Sequence, residues 1–190
     1  STAGSYPTRT TLSNGKQALV FGSTTYLSGT IPSPLQPNYT GLSHLSIVIA
    51  AKANNANDNV RMLFRKFDGS SQRDFELYQG VSTFKTAGST GFNFTDGGSQ
   101  LFEVAGKKDI FTFVIANDPK SLELYDRNGS LINQNLSPDS GLTNLGTILK
   151  IGDPTSAFEG EIYEILVFNR QLSSAEMISV SNYLKNKWGI

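Results

Sequence analysis

The sequence contains no cysteine, so neither a disulfide framework nor thiolate chemistry is open to it. An excess of one charge sign is missing too: 16 basic residues balance 16 acidic ones. Without a net field, and with Lys and Arg scattered rather than clustered, nucleic acid is not an expected partner. No apolar run approaches the length needed to cross a bilayer, so no membrane insertion is expected. A basic segment followed by an apolar one is also missing from the start of the chain, which leaves secretion undecided. The single histidine, His44, has no companions for a zinc site, no cysteine and no triad, and is assigned no role. Heptads, fixed-period repeats and low-complexity linkers are absent. A chain of 190 residues is then expected to form one domain, long enough to bury a two-sheet core.

What the sequence does contain is a succession of short alternating segments separated by Gly, Ser, Thr and Asn. Gln17–Phe21, Thr24–Leu27, Leu45–Ala51, Val60–Phe67 and Arg73–Tyr78 read as strands. So do Val81–Lys85, Gly91–Phe94, Leu101–Ala105, Ile110–Ala116, Ser121–Tyr125, Leu131–Leu136, Thr147–Gly152 and Gly160–Phe168. Residues 1–16 read as polar and turn-rich, with a tight turn at Asn14-Gly15. Pro32, Pro34 and Pro37 make Ile31–Thr40 a loop. In Leu45–Ala51, Leu45, Ile47 and Ile49 share one face while Ser46, Val48 and Ala50 share the other, so both faces are expected to be covered. Hairpin turns are expected at Asp68–Ser71 and Asp126–Gly129.

Only the tail changes period. Ser173 and Glu176 have the spacing of a capping box, with Leu172 before the cap able to meet Met177. Met177, Val180, Leu184 and Trp188 then recur at helical spacing, and Gly189 ends the run. The pattern predicts an all-β fold: a two-sheet antiparallel jelly-roll sandwich with one C-terminal α-helix over about 173–187. Trp188, on the helix stripe, is expected in the core rather than as a stacking platform.

The stretch Phe158–Ser173, with Gly160-Glu161, alternating apolar residues, Phe168, Asn169-Arg170 and Leu172-Ser173, resembles the closing strand of concanavalin A-like, laminin-G-like domains. Asn182–Ile190 is similar to the helical tail of bacterial and phage members. Asn14–Ser23 with Tyr26-Leu27 is similar to their early strand pair, although Phe21-Gly22-Ser23 stands where Phe-Asp-Gly is usual. The resemblance spans nearly all of residues 1–190 and implies an extracellular, cell-surface or virion module for adhesion and for glycan or protein recognition. It does not supply the function, because the fold serves many.

The same superfamily includes glucanases, whose catalytic strand carries a Glu, an Asp two residues on, and a second Glu. Here the nearest stretch is Glu161–Leu166, with Tyr163 in place of the Asp and Ile165 or Leu166 in place of the second Glu. On a regular strand Glu161 and Glu164 face opposite sides, whereas retaining hydrolysis needs two carboxyl groups about 5 Å apart. No catalytic residue is assigned. No cofactor is required either, and calcium is the ion this fold most often borrows. Its candidates among the loop aspartates (Asp58, Asp68, Asp96, Asp118, Asp126, Asp139, Asp153) are Asp96 and Asp153, although none sits in a dense Asp-x-Asp array and ordinary turn chemistry is the favoured reading.

For ligand binding the hairpin Val60–Tyr78 draws attention. Arg61 and Arg65 share one strand face, and Asp74, Glu76 and Tyr78 share a face of the next. One register sets Arg65 beside Asp74 and Arg61 beside Tyr78. Such a set suits a sugar, which offers hydroxyl pairs and an apolar ring face, and it equally suits a ladder of exposed charge pairs. The expected function is a non-catalytic, lectin-like recognition or adhesion module whose partner is a glycan or a cell-surface or virion protein. The alternative is a structural virion or assembly domain of a phage particle that binds protein neighbours. A glycan-cleaving enzyme ranks below both.

Overall fold

The computed structural model describes residues 6–30, 44–54, 61–67, 73–79, 82–84, 92–94, 106–117, 120–136, 148–155 and 158–190. For residues 61–67, 73–79, 82–84 and 92–94 only the backbone is described. The strands are β1 (Thr8–Thr11), β2 (Gln17–Phe21), β3 (Leu27–Thr30), β4 (His44–Ala53), β5 (Arg61–Phe67), β6 (Arg73–Gln79) and β7 (Ser82–Phe84). They continue with β8 (Phe92–Phe94), β9 (Lys108–Asn117), β10 (Lys120–Tyr125), β11 (Leu131–Asn135), β12 (Ile148–Ile151) and β13 (Gly160–Phe168). One helix, α1 (Ser174–Trp188), follows.

The strands form a seven-stranded sheet in the order β1-β2-β13-β4-β9-β10-β11 and a six-stranded sheet in the order β3-β12-β5-β6-β7-β8. Every pairing is antiparallel. The expected jelly-roll sandwich with a C-terminal helix is therefore what the chain adopts. The predicted strand Leu101–Ala105, the proline-bearing loop Ile31–Thr40, and Asp58, Asp68, Asp96, Asp118 and Asp139 lie outside the described residues.

β4 shows how the layers arise from one strand. Leu45, Ile47, Ile49, Ala51 and Ala53 enter the core between the sheets with Phe21, Phe113, Leu124 and Phe158. Val48 and Ala50, on the other face, enter a second core with Met177, Leu184 and Trp188 of α1. The expectation that both faces of this strand are covered holds. Ser46 is also buried and is fully used: its hydroxyl donates to Arg170 O at 2.8 Å and accepts from Leu172 N–H at 3.0 Å. It thereby fixes where the chain leaves the sheet for the helix.

The helix starts where the capping box predicts. Ser173 is the N-cap, its side chain accepting from Glu176 N–H while the Glu176 carboxylate accepts from Ser173 N–H. Met177, Leu184 and Trp188 form the expected buried stripe, and Gly189 closes the helix in the left-handed conformation at φ 67°.

Two strand expectations need correction. β1 lies in the stretch expected to be only turn, because Thr8–Thr11 is polar and mostly exposed at a sheet edge and so carries no apolar alternation. The strand expected at Thr24–Leu27 is instead Leu27–Thr30, because Thr25 closes a turn on Gly22. In that turn Thr25 N–H donates to Gly22 O at 3.1 Å and Thr25 Oγ1 accepts from Gly22 N–H at 2.7 Å.

Candidate functional site

Among the described elements only α1 lies outside the sheets, and it covers the seven-stranded one. The six-stranded sheet turns Leu27, Leu149 and Ile151 into the core, so Ser28 and Lys150 alternate onto its outer face. Cross-strand register extends that row. Ser28 lies opposite Lys150, Lys150 opposite Arg65, and Arg65 opposite Glu76, across β3, β12, β5 and β6.

That register corrects the expected hairpin pairing. Arg65 faces Glu76 rather than Asp74, Arg61 faces Gln79, and Tyr78 faces Met62. The ladder starts one residue away from that expectation, with Phe67 opposite Arg73. An irregularity between Lys66 and Phe67, at Asp74, adds a second residue of slip at Arg65, and another between Met62 and Phe64 removes one again before Arg61. The irregularity at Met62–Phe64 breaks the two-residue alternation between Arg61 and Arg65, and the one at Asp74 breaks that between Asp74 and Glu76, whereas Glu76 and Tyr78 stay in alternation.

Lys150, within this row, and Tyr26 and Thr155 beside it are three residues that the sequence reading did not single out. The Lys150 ammonium lies 4.7 Å from the centroid of the Tyr26 ring and 2.8 Å from Asp153 Oδ2. Asp153 Oδ1 accepts from Thr155 N–H at 2.8 Å and from the Thr155 hydroxyl. Burial alone would raise the Asp153 carboxyl. The hydrogen bonds from Lys150 and Thr155 outweigh it and hold the group at about 2. Gly152 makes the arrangement possible: at φ 73°, a Cβ there would lie 2.9 Å from Thr25 O and 3.2 Å from the Phe21 ring. With glycine, the Gly152–Thr155 segment lies directly against the turn that presents Tyr26.

Asp153, a weak calcium candidate from the sequence, thus has both oxygens engaged, and any metal ion would compete with the Lys150 ammonium. Among the described residues no three His, Cys, Asp or Glu side chains gather as a metal cluster. His44 stands at the start of β4 opposite Ala116.

The other acidic pair lies on the opposite side of the molecule. A bulge in β13 between Ile162 and Glu164 makes Tyr163 an extra residue, so that Glu161 pairs with Lys52 and Glu164 with Ala50. The expectation that Glu161 and Glu164 face opposite sides is therefore overturned: both lie on the helix-covered face. Neither is free for chemistry there. Glu161 accepts from Lys52 Nζ and from the Tyr163 hydroxyl, each at 2.8 Å. Glu164 accepts from Trp188 Nε1 at 2.8 Å and from Lys187 Nζ at 2.9 Å. Burial opposes ionisation of Glu161, but Lys52 and Tyr163 hold its carboxyl below the usual range. Burial and Glu161 together push the Tyr163 phenol up. Trp188, 8 % exposed and against the Tyr163 ring at 5.8 Å, belongs to the core as expected.

No protein-family model matches the sequence, and no curated protein matches it. Solved structures do match in fold. The Ruminococcus gnavus IT-sialidase CBM40 superposes with a TM-score of 0.62 at 16% identity, over 86% of this chain and 95% of that one. The same CBM40 bound to alpha2,3 sialyllactose gives 0.59 at 17% identity, over 84% of this chain and 100% of that one. The binding domain of botulinum neurotoxin DC in complex with SialylT gives 0.68 at 13% identity, over 94% of this chain and 45% of that one. The chain thus spans about half the length of the toxin binding domain and nearly all of the CBM40. At these identities the likeness establishes a two-sheet β-sandwich fold and nothing further.

Proposed function

We propose that the chain is a non-catalytic, lectin-like recognition module that seats a glycan on the outer face of the six-stranded sheet. The observation that carries the reading is the row Ser28, Lys150, Arg65 and Glu76, ending at the Tyr26 ring beside Lys150 and Asp153. Backbone register brings the row's positions onto neighbouring strands. The residue types there and beside it, an aromatic ring, cations, carboxylates and a hydroxyl, are those a sugar engages through its ring face and its hydroxyl pairs, which supports the reading. The two basic residues opposite each other, Lys150 and Arg65, favour a sugar that carries a carboxylate. The neighbours described in complex with sialyllactose and SialylT support the same ligand class.

Hydrolysis is not part of this reading. Asp153, Glu161 and Glu176 are all held below the ordinary carboxyl range, the reverse of what a general acid needs. The closing-strand resemblance to concanavalin A-like, laminin-G-like domains fits a display role outside the cell. A glycan array run with and without calcium tests the proposal, with sialylated and desialylated pairs included. Sialylated glycans are expected to bind, and Arg65→Ala and Lys150→Ala are expected to weaken them at least tenfold while circular dichroism stays unchanged. No binding to any sugar would overturn the reading and favour a surface that meets only protein.

A further inference from the structure

Two hairpin turns of one design hold the two ends of α1. Between β1 and β2, Gly15 N–H donates to Leu12 O at 2.9 Å and Leu12 N–H to Lys16 O at 2.7 Å. Between β10 and β11, Gly129 N–H donates to Asp126 O at 3.0 Å and Asp126 N–H to Ser130 O at 2.9 Å. Each turn ends in a left-handed glycine, φ 77° and 70°, preceded by an asparagine, Asn14 or Asn128. The first turn reaches the end of the helix: Asn14 Nδ2 donates to Lys187 O at 3.3 Å. The second reaches its start: a Cβ on Gly129 would lie 3.0 Å from Ser174 O and 3.3 Å from Ile178 Cγ1.

We propose that Asn14 is a spontaneous deamidation site, and that its conversion to aspartate or isoaspartate releases the C-terminal end of α1. When the exposed turn opens and Gly15 N–H leaves Leu12 O, the Gly15 backbone nitrogen loses its proton to base and attacks Asn14 Cγ. A Cγ–N bond forms, the Cγ–Nδ2 bond breaks, and ammonia departs with a proton. Water then opens the succinimide at either carbonyl, giving aspartate or isoaspartate. Water is the one reagent consumed, because the base recovers its free form when ammonia leaves with the proton taken from the Gly15 nitrogen. Glycine offers no side chain to obstruct the attack, Asn14 and Gly15 are both exposed, and nothing stands within 4 Å of where a Gly15 Cβ would be.

The two Asn-Gly steps differ in electrostatics. The attacking nitrogen is an anion, and Asn128 sits against a carboxylate: its side-chain Nδ2 is 3.2 Å from Asp126 Oδ2 and its backbone N–H is 2.8 Å from Asp126 Oδ1. That neighbour disfavours a second negative charge. Asn14 instead makes its hydrogen bonds to backbone groups of Lys16 and Lys187. The consequences differ as well. At Asn14, an anionic oxygen would replace a donor facing Lys187 O, at the end of the helix that already carries partial negative charge. At Asn128, the new charge would lie near the end that attracts anions.

The test ages the full chain in mildly alkaline buffer and maps peptides by mass spectrometry. The Asn14 peptide is expected to convert several-fold faster than the Asn128 peptide, and Asn14→Ser is expected to abolish the conversion at that turn. Hydrogen exchange over Tyr183–Trp188 is expected to quicken in Asn14→Asp and not in Asn128→Asp, with a fall in Tm of about 2–4 °C for the former alone. Aged wild-type protein, fractionated by charge, supplies the same comparison without a folding step. Conversion at Asn14 no faster than at Asn128 would overturn the proposal. So would unchanged exchange in the helix end of both the variant and the aged fraction.

Discussion

Removing the Glu164 carboxylate breaks both polar contacts, from Trp188 Nε1 and from Lys187 Nζ, that tie the end of α1 to the bulged strand. Trp188 Nε1 donates to Glu164 Oε2 at 2.8 Å, and the indole is buried against Tyr163. A hydrogen bond to a charged acceptor contributes about 1.5–3 kcal/mol, and truncating the acceptor also strands a buried N–H. Glu164→Ala is therefore expected to cost about 2 kcal/mol, which lowers Tm by about 4–8 °C in a chain of this size. A double-mutant cycle with Trp188→Phe separates this bond from simple loss of packing. Phenylalanine keeps an aromatic ring without the N–H, so Glu164→Ala should cost less than about 1 kcal/mol in that background. Urea unfolding followed by far-ultraviolet circular dichroism serves all four proteins, because Trp188 is the only tryptophan and fluorescence would vanish with it. A coupling energy indistinguishable from zero would refute the claim that the bulge orients Glu164 toward the helix.

Acid unfolding should report Asp153. Its folded carboxyl is held at about 2, below its unfolded value near ~4, so its stabilisation is present above pH ~4 and is lost as pH falls toward 2. The stability difference between wild type and Asp153→Asn should therefore shrink across that window, and a difference independent of pH would contradict the assignment. Ser173→Ala should cost about 1 kcal/mol in denaturant titration through loss of the helix cap, with little change if the capping box is unimportant. Gly152→Ala should destabilise by at least ~1–2 kcal/mol from the left-handed backbone alone, before the clash with Thr25 O is counted. A thermal melt matching wild type would show that the Gly152–Thr155 segment and the Gly22–Thr25 turn are not in register.

The sequence made local features legible and hid non-local ones. Gln17–Phe21 and Gly160–Phe168 have the bounds expected, because alternation and flanking turns both mark them. The capping box was readable for the same reason: Ser173 and Glu176 satisfy each other within four residues. The bulge at Tyr163 left no local sign in turn residues, since Gly160–Phe168 contains neither Gly nor Pro after its first residue, and the odd spacing of Glu161 and Glu164 reads equally well as two residues on opposite faces. It reversed the expected placement of Glu164. The candidate site was half legible. Arg65 and Glu76 came from one hairpin, but the slip that pairs them rather than Arg65 and Asp74 comes from the register in which Phe67 meets Arg73 and from the irregularity at Asp74. Lys150 and Tyr26 could not be connected to that hairpin from spacing, since β3, β12 and β5 are neighbours in space and distant in sequence.

The strand order of the seven-stranded sheet constrains the time course of folding. β13 lies between β2 and β4, so these two early strands have no ladder joining them until Gly160–Phe168 has left the ribosome. Loop closure on that scale places the chain among slow folders of high contact order, with the apolar edge of β4 unsatisfied during synthesis. A nascent chain stalled before Phe158 is expected to engage chaperones and resist native-like compaction, whereas one extended past Trp188 can complete both layers together.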